Sequence, residues 1–328
     1  MEIPATASSN GQASVSAEEQ QRTPQPGCIS GALDCAATFL VCSVCRSPLA
    51  TQPQSVVCAH GHSFDRAREG YVNLLRGKPA GDSKEMLLAR RRFLEAGRYR
   101  AVSDAVNGMV AGHLARREGS AASVILDVGC GEGYYLRQLA SALQADGAVA
   151  PPFVGIDNSR DAIRLAAGSD PTTCLVVADV HELIPLASGS VEVLINIFSP
   201  RNPGEFARVI ALGGKLVVVI PQPGHLRLLR SLAPLLGIQE GKEERLLAEY
   251  DDAFEHLSTI PVEYDLALNG DQIVDLITMS PTFRHIEPES LDALREMGEA
   301  PVDVRVTVLV FRRRDIWISH GDQTWGVR

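Results

Sequence analysis

The sequence has no apolar run approaching the ~18 to 20 uninterrupted residues that a membrane-spanning helix needs. Its longest apolar stretches, such as Lys215 to Ile220, have the length of buried strands, so a soluble chain is expected. Nor is there an excess of positive charge: the formal net charge is −9, which argues against a protein that coats nucleic acid indiscriminately. The seven cysteines form no even set, and four of them fall in or just before the stretch Cys42 to Cys58. A secreted disulfide framework is a poor reading of that distribution, and metal binding in a reducing compartment is a better one. Large aliphatic and aromatic side chains are scarce from Met1 to about Asp34, where Ser, Ala, Gln, Thr and Pro dominate. Such a segment cannot bury enough surface to fold, so residues 1–38 are expected to be a disordered tail. As a targeting segment it is equivocal, since it holds Glu2, Glu18 and Glu19 against a single Arg22.

What is present is an ordinary globular composition, 45% hydrophobic and 22% charged, over 328 residues, enough for one full-sized domain and a smaller one. The charge is unevenly spread. Between Cys42 and Arg100 eleven Lys/Arg face five Asp/Glu, a local balance of +6, whereas the first 41 residues carry −3 and everything after Arg100 carries −12. A basic front on an acidic body suits selective contact with a phosphate backbone. A solvated charged face is the plainer alternative.

From Val41 to Leu75 short apolar pieces alternate with Cys, His, Gly and Pro, too little core for about 35 residues to fold unaided. The staple is written in the spacing Cys42-x2-Cys45-x12-Cys58-x3-His62. A pair of ligands two residues apart can turn back onto one ion, and three thiolates with one imidazole close a tetrahedral zinc site. With no open position such a site is structural, and the ion supplies folding energy. His62 fits the spacing better than its rival His60. Cys28, Cys35 and Cys130 read as bystanders.

Next, Asp82-Ser83-Lys84-Glu85 offers a cap residue and acids ahead of Met86, Leu87, Phe93 and Leu94 at helical spacing, so a helix is predicted from near Ser83, with a second from about Ala101 to Arg116. After Ser120 the texture changes. Val124 to Asp127, Phe153 to Asp157, Leu175 to Val177, Val191 to Phe198 and Leu216 to Pro221 alternate with helical patterns, which predicts βα repeats and a mostly parallel sheet. Gln222 to about Asn269 reads helical, and Thr282 to Pro288 with Val304 to Arg312 would supply the last two strands. The fold expected is thus α/β, Rossmann-like, with a small N-terminal zinc module. Its divisions are residues 39–80 for the zinc-binding, RNA-recognising module, 81–119 for a helical linker, 120–314 for the catalytic domain and 315–328 for a C-terminal extension.

The first strand runs into Asp127-Val128-Gly129-Cys130-Gly131-Glu132-Gly133-Tyr134-Tyr135. Glycines there let backbone approach a ligand closely, and the acid can accept from a ligand ammonium or fix the loop. A lone glycine-rich turn is shared by several nucleotide-binding classes, so the next strands decide. One ends in Asp157, placed to accept both ribose hydroxyls, and the third run ends in Ala178-Asp179, placed to meet an adenine amino group. This segment resembles class I S-adenosylmethionine-dependent methyltransferases, and the cofactor residues implied are Asp127, Gly129, Gly131, Gly133, Tyr134, Asp157 and Asp179. A Rossmann dehydrogenase competes, but its G-x-G-x-x-G spacing differs from the strict alternation of Gly129, Gly131 and Gly133.

From about Val41 to Arg312 the chain resembles the bacterial 23S ribosomal RNA (guanine-N1)-methyltransferases. The carriers are the Cys42, Cys45, Cys58, His62 quartet, Phe64-Asp65, Glu69 to Leu75, Gly81-Asp82-Ser83, Glu85-Met86, Ala89-Arg90-Arg91, Phe93-Leu94, Ala96-Gly97, Asp127 to Tyr135, Ser199-Pro200 and Met279 to Phe283. The resemblance implies methylation of N1 of one guanine in a large-subunit ribosomal RNA hairpin, with the zinc module helping to hold the RNA and with room for a homodimer. The acidic tail and the C-terminal extension depart from the compact bacterial pattern and suggest a plastid-bearing host, hence a chloroplast location, with the cytoplasm as the alternative. Asp179 is not a fixed residue of that pattern.

Guanine N1 carries a proton that must leave as the methyl arrives, and the base must be unpaired or flipped. Asp65, Glu69 and Asp82 are the candidate general bases, although each type of residue more often caps or pairs. Arg66, Arg68, Arg90 and Arg91 are the candidate RNA contacts; with Arg92, three consecutive arginines on a helix cannot share one face. Asn196 and Ser199-Pro200-Arg201 follow the fourth strand, where this fold presents groups to the methyl acceptor. The competing activity is methylation of a small molecule beneath a lid formed by Gly224 to Glu255.

Overall fold

The computed structural model describes residues 32–77, 81–116, 123–147, 149–232, 241–280, 283 and 286–315. The expected tail up to residue 31 and the extension from residue 316 lie outside them. Residues 32–38, expected to belong to that tail, are instead folded. Helix α1 (Ala32–Ala36) and a following helical turn bury Leu33, Ala36 and Leu40 against Val72, Cys174 and Val176. The apolar face responsible is short, and it becomes a helix only because the main sheet offers it a partner surface.

The zinc module is a three-stranded antiparallel meander, β1 (Leu49–Thr51), β2 (Ser55–Cys58) and β3 (Ser63–Asp65). After it, β4 (Val72–Asn73) leaves the module and pairs in parallel with a strand of the main sheet, Val72 opposite Val176 and Asn73 opposite Val177.

Two helices follow. In α2 (Lys84–Glu95) the Ser83 hydroxyl accepts from the Met86 N–H at 3.3 Å, the cap that the sequence predicts, and Met86, Leu87, Phe93 and Leu94 are buried. Helix α3 (Arg100–Leu114) buries Val102, Val106 and Val110 at helical spacing.

The main sheet begins with β5 (Val124–Val128), α4 (Tyr134–Ala145), β6 (Phe153–Asp157), α5 (Arg160–Ser169) and β7 (Cys174–Val177). It continues with β8 (Val191–Ile197), α6 (Pro203–Val209), β9 (Ile210–Pro221), α7 (Arg227–Leu232), α8 (Lys242–Tyr250), β10 (Phe254–Leu268), α9 (Gly270–Thr278), α10 (Pro288–Arg295) and β11 (Ala300–Arg313). The eight strands lie in the order β10-β11-β9-β8-β5-β6-β7-β4, and β11 is antiparallel to both neighbours. Order reverses between β5 and β8, so the carboxyl ends of β5, β6 and β8 open onto one crevice, the place where sheets of this kind take ligands. Strands buried on both faces, such as Val124 to Val128, read as unbroken apolar runs for that reason.

Two expectations near the C-terminus are corrected. The stretch read as helical to Asn269 ends in the 15-residue strand β10, where Ile260, Val262, Tyr264 and Leu266 alternate with Pro261, Glu263 and Asp265. That period of two is a strand signature, and Pro261 is tolerated because β10 is the edge of the sheet. The expected strand over Thr282 to Pro288 is not formed by its described residues; Pro288 opens α10, and the last two strands are β10 and β11. Among the described residues no helix is long and apolar enough to cross a membrane.

Candidate functional site

The zinc ligands come from two turns. Cys42 and Cys45 flank a tight knuckle in which the Val44 N–H points at Cys42 Sγ at 3.4 Å, while Cys58 ends β2 and His62 precedes β3. The four donor atoms lie within 4.8 Å of one another. Cys45 Sγ and Cys58 Sγ are 3.6 Å apart, and His62 Nδ1 is 3.3 Å from Cys58 Sγ and 3.6 Å from Cys42 Sγ. A tetrahedron of Zn–S bonds near 2.3 Å has edges of about 3.8 Å, so the donor set fits one zinc ion. His60 is outside it, exposed, with Nδ1 3.0 Å from the Ser47 hydroxyl. The backbone N–H of Ser47, followed by its hydroxyl, pulls the Cys45 thiol down to about 5, toward the thiolate that a zinc ligand must be.

The second site is a cavity of about 500 Å³ over the crevice of the main sheet. Its floor is the β5–α4 loop. Gly129, Gly131 and Gly133 all take positive φ, 78°, 56° and 83°, which explains why glycine alternates there. At Gly129 close approach adds to the demand, because a Cβ would lie 2.4 Å from the Ser199 side chain. The Asp157 carboxylate accepts the Gly131 N–H at 2.9 Å and the Ser159 N–H at 2.8 Å, holding the loop over β6. Asp179 accepts the His181 N–H at 2.9 Å at the end of β7. Tyr134, the first residue of α4, is buried and also lines the cavity.

Asp127 is 1% exposed, and its Oδ2 has no hydrogen-bond partner among the described residues. Burial first, then the charge of Asp157, pushes its pKa well above the usual carboxylate range; burial raises Asp157 as well. An orphaned, buried carboxylate beside a glycine cradle, with a second acid at the next strand end, fits a ligand that brings an ammonium group and ribose hydroxyls.

The candidate bases and RNA contacts separate. Asp82 lines the cavity, paired with Arg90 at 2.5 Å. Asp65 and Glu69 do not face the cavity; they line a distinct groove with Arg66, Tyr71 and Asp170. Two adjacent arginines expected to touch RNA are held internally. Arg90 donates to the Met279 carbonyl at 2.9 Å as well as pairing with Asp82, and Arg91 donates through Nε and Nη2 to Glu132 at 3.1 and 3.0 Å. Arg92 grips Asp275 of α9. The Glu132 side chain is fully buried, which a loop glutamate tolerates only because Arg91 and Arg137 neutralise it. Arg66 sits 4.0 Å from Asp34 and is largely covered, whereas Arg68 is 95% exposed.

Asn196 is fully buried and works as a brace. Its amide donates to the Val128 carbonyl at 3.2 Å and to Ser199 Oγ and the Pro200 carbonyl, tying the end of β8 to the end of β5. Sequence reasoning missed three cavity residues, Tyr99, Phe198 and His225. Phe198 had a signal, an apolar residue ending a strand directly before Ser-Pro, but Tyr99 and His225 had none, since nothing local marks two residues 126 positions apart as neighbours.

Comparison with known proteins finds matches over the zinc module and over the first part of the main sheet. Residues 40–79 match the zinc-ribbon family described as RlmA, N-terminal, and residues 120–196 match a family described as methyltransferase domain. The chain is 34% identical over 277 residues to the 23S rRNA (guanine(748)-N(1))-methyltransferase of Streptomyces fradiae, covering 83% of this chain and 94% of the relative. It is 36% identical to a chain of Micromonospora griseorubida, covering 84% of this chain and 97% of that one, and 31% identical to one of Bacillus subtilis, covering 82% and 95%. Both of those are provisionally named for 23S rRNA guanine-N1 methylation.

Proposed function

Because this chain belongs to the zinc-ribbon 23S rRNA (guanine-N1)-methyltransferase family, we propose that its cavity holds S-adenosylmethionine and methylates N1 of a guanine in large-subunit ribosomal RNA. The observation that carries this reading is the orphaned Asp127 carboxylate at the floor of a glycine cradle, in a chain aligned with such enzymes along most of its length. The small-molecule alternative finds no support in the relatives' names. The cofactor supplies a methyl group on a sulfonium, and this chain's residues bind and aim it. Asp127 and the Gly129, Gly131, Gly133 backbone would face the amino acid end, Asp157 the ribose, and Asp179 the adenine, with Tyr134 packed behind the loop. Orientation of this kind provides much of the acceleration, effective molarities reaching about 10⁵ to 10⁸ M.

Asp82 is the proposed acceptor of the N1 proton, since of the three candidate acids it alone lines the cavity. For the RNA backbone, Arg68 remains, and exposed Arg46 and Arg76 join it; the latter two line a cleft of about 300 Å³ that also reaches Asp179. Arg46 and Arg76 would thus bring positive charge of the zinc module beside the cofactor cavity, where a hairpin would be held, while Arg68 lies on the separate groove with Asp65 and Glu69. The bacterial relatives favour the cytoplasm over the plastid as its location. A homodimer is the further expectation; sedimentation velocity reads it directly, and a single 35.3 kDa species at micromolar concentration would refute it.

The test of function is reverse transcription of large-subunit RNA from cells with and without the gene. A stop at one hairpin guanine that disappears with the gene is expected, because N1 methylation blocks base pairing. A stop that persists unchanged would overturn the assignment.

A further inference from the structure

At the mouth of the cavity Tyr99, Phe198 and His225 form a cluster that the cofactor-binding residues do not use. Tyr99 and His225 are buried, while Phe198 is 40% exposed and held at φ 53°, a conformation that costs a non-glycine residue energy. One face of Phe198 stacks on His225, with centroids 6.2 Å apart and planes 18° from parallel, and Tyr99 packs at 5.9 Å.

The hydrogen bonds fix where the protons are. The Arg305 backbone N–H donates to His225 Nδ1 at 3.2 Å, so that nitrogen is an acceptor. In the neutral ring the proton is then on Nε2, which donates to the Tyr99 oxygen at 3.3 Å. Burial first, then the charges of Arg230 and Arg305, push His225 down to about 3, so the ring stays neutral. Burial likewise raises the Tyr99 phenol, which keeps its proton. No acceptor for that proton is found among the described residues. Tyr99 therefore presents a donor at a cavity that can accept it.

Guanine N1 lies next to carbonyl O6, and loss of the N1 proton spreads negative charge onto O6. Resting on the guanine-N1 reading above, we infer that Tyr99, aimed by His225, donates a hydrogen bond to O6 of the target guanine as the base stacks on Phe198. Adenine carries a donor amino group at the corresponding position, so Tyr99 also selects against it. The donor is preorganised where charge develops, which stabilises the transition state more than the bound base. In the step itself the N1–H bond breaks and its proton passes to Asp82. The pair left on N1 forms the new N–C bond, the C–S pair stays on sulfur, and Tyr99 keeps its own proton throughout.

The measurement is single-turnover methylation of a target hairpin by wild type, Tyr99→Phe and Phe198→Leu. Tyr99→Phe should lower kcat by about 10² to 10³, the usual cost of one oxyanion donor, with cofactor and hairpin affinity little changed and a modest fall in melting temperature from the buried His225 Nε2–H left without its partner. Its deficit should shrink as pH rises, because hydroxide then ionises N1 without help. The other ionisable groups near the pair, Tyr135, Tyr264, Arg230 and Arg305, keep their protons across neutral pH, so they do not imitate this trend. Phe198→Leu should instead raise KM for the hairpin roughly 10- to 100-fold. Wild-type kcat in Tyr99→Phe, or a deficit independent of pH, would overturn the inference. Should Tyr99→Phe melt early, wild type acting on a hairpin with 6-thioguanine at the target carries the test. Sulfur is a weak acceptor, so slower turnover supports the contact and equal or faster turnover refutes it. Failure of wild type to methylate any guanine would instead refute the functional reading.

Discussion

Replacing Arg91 by Ala separates two roles that the sequence could not. Arg91 makes two hydrogen bonds to Glu132, one to the Leu165 carbonyl at 3.3 Å and one to Ser169 Oγ at 2.9 Å. Glu132 is fully buried, and among the described residues its Oε1 already lacks a partner and Arg137 would be its one remaining cation after the substitution. A hydrogen bond to a charged group contributes about 1.5–3 kcal/mol, and leaving a buried carboxylate half-compensated adds to the loss. Because Arg91 is 29% exposed, solvent screening trims the total, and about 2–4 kcal/mol is expected. In a chain of 328 residues that lowers the melting temperature by roughly 3–6 °C. Calorimetry reads the shift, and the salt dependence of hairpin binding provides the contrast. A phosphate contact contributes a slope change of about one, which Arg76→Ala should show and Arg91→Ala should not. An Arg91→Ala protein that melts like wild type but loses one counterion from the slope would refute the assignment of Arg91 to the interior.

Further outcomes follow from the two sites. Cys42→Ser should lose bound zinc, measured by elemental analysis; one zinc per chain in both proteins would contradict the ligand set. Asp127→Asn should abolish cofactor binding yet stabilise the free protein, and the sign of its pH dependence is fixed. Asp127 has a raised folded pKa, so the native state tolerates it freely below the ordinary carboxylate value and is penalised as pH climbs through the raised one. The melting advantage of Asp127→Asn should therefore grow as pH rises above the ordinary carboxylate value, and a difference that stays constant from acid to neutral pH would exclude this account. Asp82→Asn should reduce kcat by about 10² to 10⁴ if it takes the proton, while full activity would move that role elsewhere. Gly129→Ala adds a left-handed penalty of about 1–2 kcal/mol to a 2.4 Å clash with Ser199, so both melting temperature and cofactor affinity should fall.

The parts of the molecule legible in the sequence are those specified locally. The zinc quartet spans 21 residues, and the Asp127 to Tyr134 loop is one turn whose glycines answer to backbone φ. Five of the six parallel strands announced themselves because strands covered on both faces are continuously apolar. Strand β10 was misread because its exposed edge position mixes Glu263, Asp265 and Pro261 among the apolar residues, which resembles a surface helix unless the alternation is counted. The internal partners of the α2 arginines, read as RNA contacts, were illegible for a different reason. Basic residues on a helix say that a negative partner exists, not whether it is Glu132 and Asp275 or a phosphate, and those acids lie 41 and 183 residues away. The Tyr99–His225 pair is likewise a product of tertiary contact, invisible to any spacing rule.

Strand β4 gives the zinc ribbon a duty unrelated to catalysis. Pairing of Val72 and Asn73 with Val176 and Val177, extended by the Leu74 N–H donating to Val177, covers the outer rim of β7. An uncovered rim of apolar backbone is a template for other chains. Metal-starved protein should thus fail first by clumping, before any loss in chemistry can be measured, and the ion becomes a guardian of solubility as much as a clasp for a small domain.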